Sequence, residues 1–189
     1  MPLTALDAKT ALIVIDLQKG ILAYPTTQPV AEVAEKAAAL AAAFRRHRLP
    51  VVLVNVTGGA PGRTEHSRIP SSFPADFAEF LPVLDQQPED HVVTKRTWGA
   101  FMNTDLDAWL KGQDVTQVVV VGVATTAGVE STARQAHEHG YHVTLALDAM
   151  ADLNAEAHAH SVGAIFPRLG ETGTTQEVIA LLDAALAAH

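Results

Sequence analysis

The 189-residue chain contains no cysteine. This excludes disulfides, thiolate metal ligands and a cysteine nucleophile within it. Basic residues are also scarce: 13 Lys and Arg stand against 21 Asp and Glu, a formal net charge of −8. Neither nucleic acid nor an anionic membrane surface is therefore an expected partner. The one small basic group, Arg45, Arg46 and Arg48, falls near the end of an expected helix, where cations suit the helix dipole. Long apolar runs are absent as well. The segment 11–15 is too short for a signal peptide or a membrane span, so a cytoplasmic protein is expected.

Apolar residues make up 48% and charged residues 18% of the chain, the balance of a globular protein able to bury a core. No linker, repeat or low-complexity segment divides it, and a single domain over 1–189 is expected. Residues 118–121 are four consecutive valines, a run that fits a strand buried on both faces. Similar runs predict strands over 11–16, 51–56, 92–95 and 143–147. Helical periodicity predicts helices over 31–48, 104–111, 128–139, 156–165 and 175–188. A sixth strand is not evident, and 166–173 reads as a loop. The alternation of strands and helices predicts an α/β three-layer sandwich, a mostly parallel Rossmann-like sheet with helices on both faces. The long loop 57–90, with one helical turn around 75–80, reads as a lid or pocket wall.

Ligands of open parallel sheets sit beyond the carboxyl ends of the strands. There the first strand delivers Asp16 and then Gln18, and the third delivers Lys95, Arg96 and Trp98. The fourth delivers the turn 125–128, and the fifth Asp148. A carboxylate facing an ammonium group in a partly dry cleft can move a proton, orient a water and stabilise charge. Burial would raise the pKa of Asp16 and Lys95 would lower it. The strand-to-helix turn aims backbone N–H groups at a pocket where an anion is favoured.

Arg63, next to Gly62 in a loop with Glu65, His66 and Arg68, suits a substrate carboxylate. Trp98, Phe101 and Phe73 are expected to wall the cleft. Gln18 is expected to bond Asp16 or substrate, and Asp148 to brace its own loop. Thr125, Thr126 and Ser131 lack a forced histidine base and read better as helix caps than as nucleophiles. His137 with His139, and His158 with His160, stand two apart. On a helix this points them to different faces, so no metal is expected.

Four segments together carry a resemblance: IVIDLQ (13–18), KRTWGAF (95–101), GVATTAGVESTARQA (122–136) and GYHVTLALDAMAD (140–152). In this order they resemble the isochorismatase-like hydrolases, also called the cysteine hydrolase superfamily, over nearly the full length. The resemblance places the family's aspartate on Asp16, its lysine on Lys95 and its nucleophilic cysteine on Gly128. It also implies a cis peptide between Val123 and Ala124, and oxyanion donors near Ala127 and Gly128. Ala124, Thr126 and Ala127 would then line the substrate side of the turn.

Glycine at this position resembles isochorismatases proper, which cleave a vinyl ether without a covalent intermediate. The GVAT opening matches the cysteine-bearing branch instead. In the vinyl-ether reading Asp16 is the acid, Lys95 holds water or carboxylate, and Gly128 leaves room for substrate where sulfur would sit. Expected with it are a small, anionic substrate, no cofactor and a homo-oligomer. Two other readings stay open: a water-based amide or C–N hydrolase, and a non-catalytic small-molecule-binding relative.

Overall fold

The computed structural model describes residues 3–65 and 72–187. Its strands are β1 (Thr10–Ile15), β2 (Val51–Val56), β3 (His91–Lys95), β4 (Gln117–Val123), β5 (His142–Ala151) and β6 (Glu171–Gly173). The helices are α1 (Val30–Arg46), α2 (Leu106–Gly112), α3 (Glu130–Glu138), α4 (Ala155–His160) and α5 (Thr175–Ala187). The strands form one sheet in the order β3-β2-β1-β4-β5-β6, with every neighbouring pair parallel. Successive strand residues point to opposite faces. β1 therefore sends Leu12 and Val14 into one core and Ala11, Ile13 and Ile15 into the other. α1 covers the first core with Val33, Ala37, Leu40 and Phe44, joined by Val178 and Leu182 of α5. Leu106 and Leu110 of α2 and Ala133 and Ala136 of α3 cover the second. This helix–sheet–helix layering is the expected three-layer sandwich.

The order also fixes where chemistry can occur. The chain builds outward from β1 to β2 and β3, then returns to lay β4 on the other side of β1. Such a reversal opens a crevice at the carboxyl ends of β1 and β4. Gly122, with φ 121°, lets these strands close there, since a β-carbon on it would stand 2.1 Å from the Ile15 carbonyl oxygen.

The structure differs from the sequence reading in several places. β5 continues past 147 to Ala151, because Val120 pairs with Leu145 whereas Gly122 pairs with Met150. Two steps along β4 thus match five along β5, and the extra residues break the alternation that marks a strand. Asp148 consequently lies within β5, where it accepts from the N–H (2.7 Å) and hydroxyl (3.0 Å) of Thr175 at the start of α5. The stretch read as a loop holds β6, a three-residue edge strand on β5. α2 begins at Leu106, with Asp105 ahead of it instead of Thr104. The helix expected over 156–165 ends at His160 and continues as a wider helical turn, Ser161–Ile165. The second half of the long loop is tied down on 17–20, through Leu81 N–H to Leu17 O and Gly20 N–H to Phe77 O.

Two glycine substitutions should separate close approach from mere flexibility. Gly122→Ala should lower unfolding free energy by about 2 kcal/mol or more. Gly163→Ala, exposed and with open space around its β-carbon, should raise it by about 0.5–1 kcal/mol. Urea denaturation midpoints of the two variants check both directions.

Candidate active site

Asp16 is the first residue beyond β1 and adopts φ 54°, a left-handed conformation that aspartate tolerates better than most residues. Lys95 ends β3, two strands away, and its side chain spans the intervening β2 end. Its Nζ donates to Asp16 Oδ2 at 2.7 Å and to the Thr97 carbonyl at 3.2 Å. Both residues are buried, at 7% and 2% exposure. Asp16 Oδ1 is buried and has no hydrogen-bond partner among the described residues.

The contest between burial and charge is decided by burial. Loss of solvent pushes the Asp16 pKa from its ordinary 3.8 up to about 6, against the charge and hydrogen bond of Lys95. Between these two values the folded protein holds a proton that the unfolded chain has released. This group therefore makes the fold less stable as pH rises from about 4 to about 6.

The third element of the site is the turn after β4. The Val123–Ala124 peptide is cis. Residues Thr125–Val129 form a wide helical turn that leads into α3. A β-carbon on Gly128 would stand 2.8 Å from Ile15 Cγ2 and 3.2 Å from Asp16 Oδ2. The glycine therefore brings the turn against β1 and the Asp16 carboxylate. Ile15 and Asp16 thus crowd the β-carbon position itself.

The backbone donors of the turn are largely committed. Thr126 N–H donates to Asp152 Oδ2 at 2.7 Å, and the N–H groups of Ala127 and Val129 both donate to the Ala124 carbonyl at 3.1 Å. The Ala127 N–H expected to face an oxyanion is thus bonded within the turn. The hydroxyl of Thr126 also goes to Asp152 (2.7 Å) and not to a helix cap. Thr125 is fully buried, with its Oγ1 2.9 Å from His158 Nδ1. Ala124, Thr126 and Ala127 are each partly exposed.

Other candidates lie elsewhere. The Gln18 side-chain amide bonds Val56 N–H (2.8 Å), Val56 O (3.0 Å) and Phe77 O (3.0 Å) and so ties the end of β2 to the loop, while its backbone N–H donates to the Asp16 carbonyl at 3.0 Å. Phe101 stacks on His139 at 5.2 Å, beyond the C-terminal end of α3, and so does not wall the site. Phe73 stacks on Phe77 at 4.1 Å. Trp98, three residues past Lys95, is 65% exposed. Arg63 and Glu65 are exposed in the loop after β2, and His66 and Arg68 lie outside the described residues. Among the described residues no three His, Asp or Glu side chains gather to hold a metal.

Sequence reasoning missed Asp152 and His158 as partners of the turn. Asp152 stands at the end of β5 as Asp16 stands at the end of β1, but the extra residues of β5 moved that end from 147 to 151.

Close packing at Gly128 has a measurable consequence. Gly128→Ala should destabilise the fold by about 1–3 kcal/mol, because Ile15 must move. In an Ile15→Leu background, which lacks the β-branch at the contact, the same substitution should cost less. A double-mutant cycle on denaturation free energies reads the difference.

Comparison with known proteins agrees with this geometry. The isochorismatase domain model matches residues 10–177. The isochorismatase family protein YwoC of Bacillus subtilis is 42% identical over 178 residues, covering 90% of this chain and 93% of that protein. YecD of Escherichia coli O157:H7, of the same family, is 39% identical over 184 residues, covering 92% and 97%. The solved structure of an isochorismatase family protein from Burkholderia thailandensis superposes with a TM-score of 0.92 at 39% identity, covering 95% of this chain and 98% of that one. With the matched domain spanning the sheet, the Asp16–Lys95 pair and the turn at Gly128, this chain belongs to the isochorismatase family of hydrolases.

Proposed function

We propose that the protein hydrolyses a small anionic substrate without a covalent intermediate, by protonating the carbon–carbon double bond of a vinyl ether. The observation that carries this reading is the Asp16 carboxyl. One oxygen is held by Lys95 at 2.7 Å, the other is buried and unpartnered among the described residues, and burial raises its pKa to about 6. Such a group is protonated in an appreciable fraction near neutral pH and has a free oxygen from which to give the proton. The chain has no cysteine to form an acyl-enzyme.

The reaction balances with water alone. Asp16 gives its proton to the terminal vinyl carbon, and the π electrons form the new C–H bond. The ether oxygen then shares the positive charge of the adjacent carbon. Water adds to that carbon and returns a proton to Asp16. The resulting hemiketal releases the alcohol, with a proton on its oxygen, and leaves a ketone. Lys95 favours the carboxylate left after proton transfer and orients water or a substrate carboxylate. Arg63 binds the substrate carboxylate and Trp98 covers the substrate, with Ala124, Thr126, Ala127 and Gly128 forming the wall beside it. A protein that only bound a ligand would gain nothing from burying an unpaired carboxyl oxygen, which costs stability.

A panel assay tests the proposal: ketone release from vinyl ethers, isochorismate among them, against ammonia release from amides. Ketone release should dominate, and Asp16→Asn should reduce it by about 10²–10⁴-fold with unchanged far-UV circular dichroism. Because the acid form is the active one, kcat/KM should fall as pH rises through about 6. A rate that instead rises through that pH would assign Asp16 the role of base.

A further inference from the structure

The segment that follows Lys95 is held by a helix from the other side of the site. Thr132 and Gln135 stand three apart on α3 and so share one face of it. They take two consecutive backbone amides of that segment: Ala100 N–H donates to Thr132 Oγ1 and Phe101 N–H to Gln135 Oε1, each at 3.1 Å. Gly99 lies against the same face, since a β-carbon on it would stand 2.1 Å from Gln135 Oε1. Thr132 is fully buried, and its own hydroxyl proton goes to the Gly128 carbonyl at 2.7 Å. A helical threonine often bonds the carbonyl four residues back. This one also accepts from a different segment, so a single hydroxyl joins the Gly128 turn to the chain leaving β3.

Both ends of that link border the Asp16–Lys95 pair. Gly128 lies against Asp16, a β-carbon on it falling 3.2 Å from Oδ2. At the other end Thr97 Oγ1 donates to the Gly99 carbonyl at 3.0 Å, and the Thr97 carbonyl is the second acceptor of Lys95 Nζ, at 3.2 Å. We propose that Thr132 and Gln135 are positioning residues: α3 is a bracket that fixes the Thr97 carbonyl and the Gly128 turn relative to one another, and so keeps the carboxyl–ammonium pair enclosed. Their bonds go to backbone groups, and they act on the site through Lys95 and Asp16. The bracket stands on geometry alone, whereas its effect on turnover rests on the function proposed above.

The Asp16 carboxyl carbon, followed by ¹³C NMR through a pH titration, reads the bracket without any substrate. Thr132→Val keeps the side-chain shape and removes the hydroxyl. The freed segment should admit water to the pair. Loss of solvent is the main cause of the raised Asp16 pKa, so the midpoint should fall from about 6 by about half a pH unit or more. A rise of that size would mean that Lys95 had been drawn off instead, and would support the bracket as well. Thr132→Ser, which restores the hydroxyl, should return the midpoint to the wild-type value. An unmoved midpoint in Thr132→Val would overturn the proposal, and so would a Thr132→Ser protein displaced as far as Thr132→Val. Should Thr132→Val fail to fold, Gln135→Met decides in the same way, because it releases Phe101 N–H at a partly exposed position. Turnover is read separately: in ketone release from a vinyl ether, Thr132→Val should lower kcat by about 10- to 10²-fold, with most of it recovered in Thr132→Ser. An unchanged kcat would overturn the role in turnover. No ketone release by the wild type would remove the proposed function, while the displacement of the midpoint between variants would still judge the bracket.

Discussion

A carboxyl and an ammonium group pressed together out of water, Asp16 against Lys95, organise this molecule. A buried ion pair is a poor source of stability, because desolvating both charges consumes most of what their attraction returns. Here the balance is visible in one group: burial outweighs the lysine and the carboxyl binds its proton more tightly than in water. The pair is costly to the fold and useful to a reaction. It requires a strand end on either side of β2 and a lysine long enough to bridge them, which the order β3-β2-β1 provides.

The approach of the opposite wall follows from two positions without side chains. Gly122 admits the Ile15 carbonyl, and Gly128 admits Ile15 and the Asp16 carboxylate itself. The turn is then secured from behind by polar contacts, Thr126 to Asp152 and Thr125 to His158. Two aspartates at homologous places, the ends of β1 and β5, thus serve opposite purposes. Asp16 keeps an oxygen without a partner among the described residues, whereas Asp152 spends both of its oxygens on the protein.

Much of this was legible in the residues. The valine run of β4, the ALIVI segment of β1 and the helical stripe of α1 announce a parallel sheet with helices on both faces. Asp16 and Lys95 are readable as strand-end residues once that sheet is granted. What failed did so for local reasons. Extra residues in β5 interrupt its period and hide where the strand ends, and with it Asp152. β6 is too short to carry a pattern. Nearness in sequence to Lys95 suggested a wall residue in Phe101, but its ring stacks beyond the far end of α3. Nearness to Asp16 suggested a ligand in Gln18, yet the end of β2 and the loop after it claim its amide. The outcome of burial against charge at Asp16 depends on the depth of the packing around it, which no motif encodes.

The most direct test of the account is to follow the Asp16 side-chain carboxyl carbon by ¹³C NMR across a pH titration of the folded protein, with Asp16→Asn used to assign the signal. A midpoint near 6, well above the ordinary carboxyl value of 3.8, is the predicted result. A midpoint at or below the ordinary value would mean that the lysine dominates, that the carboxyl is ionised throughout the working range, and that it cannot be the proton donor.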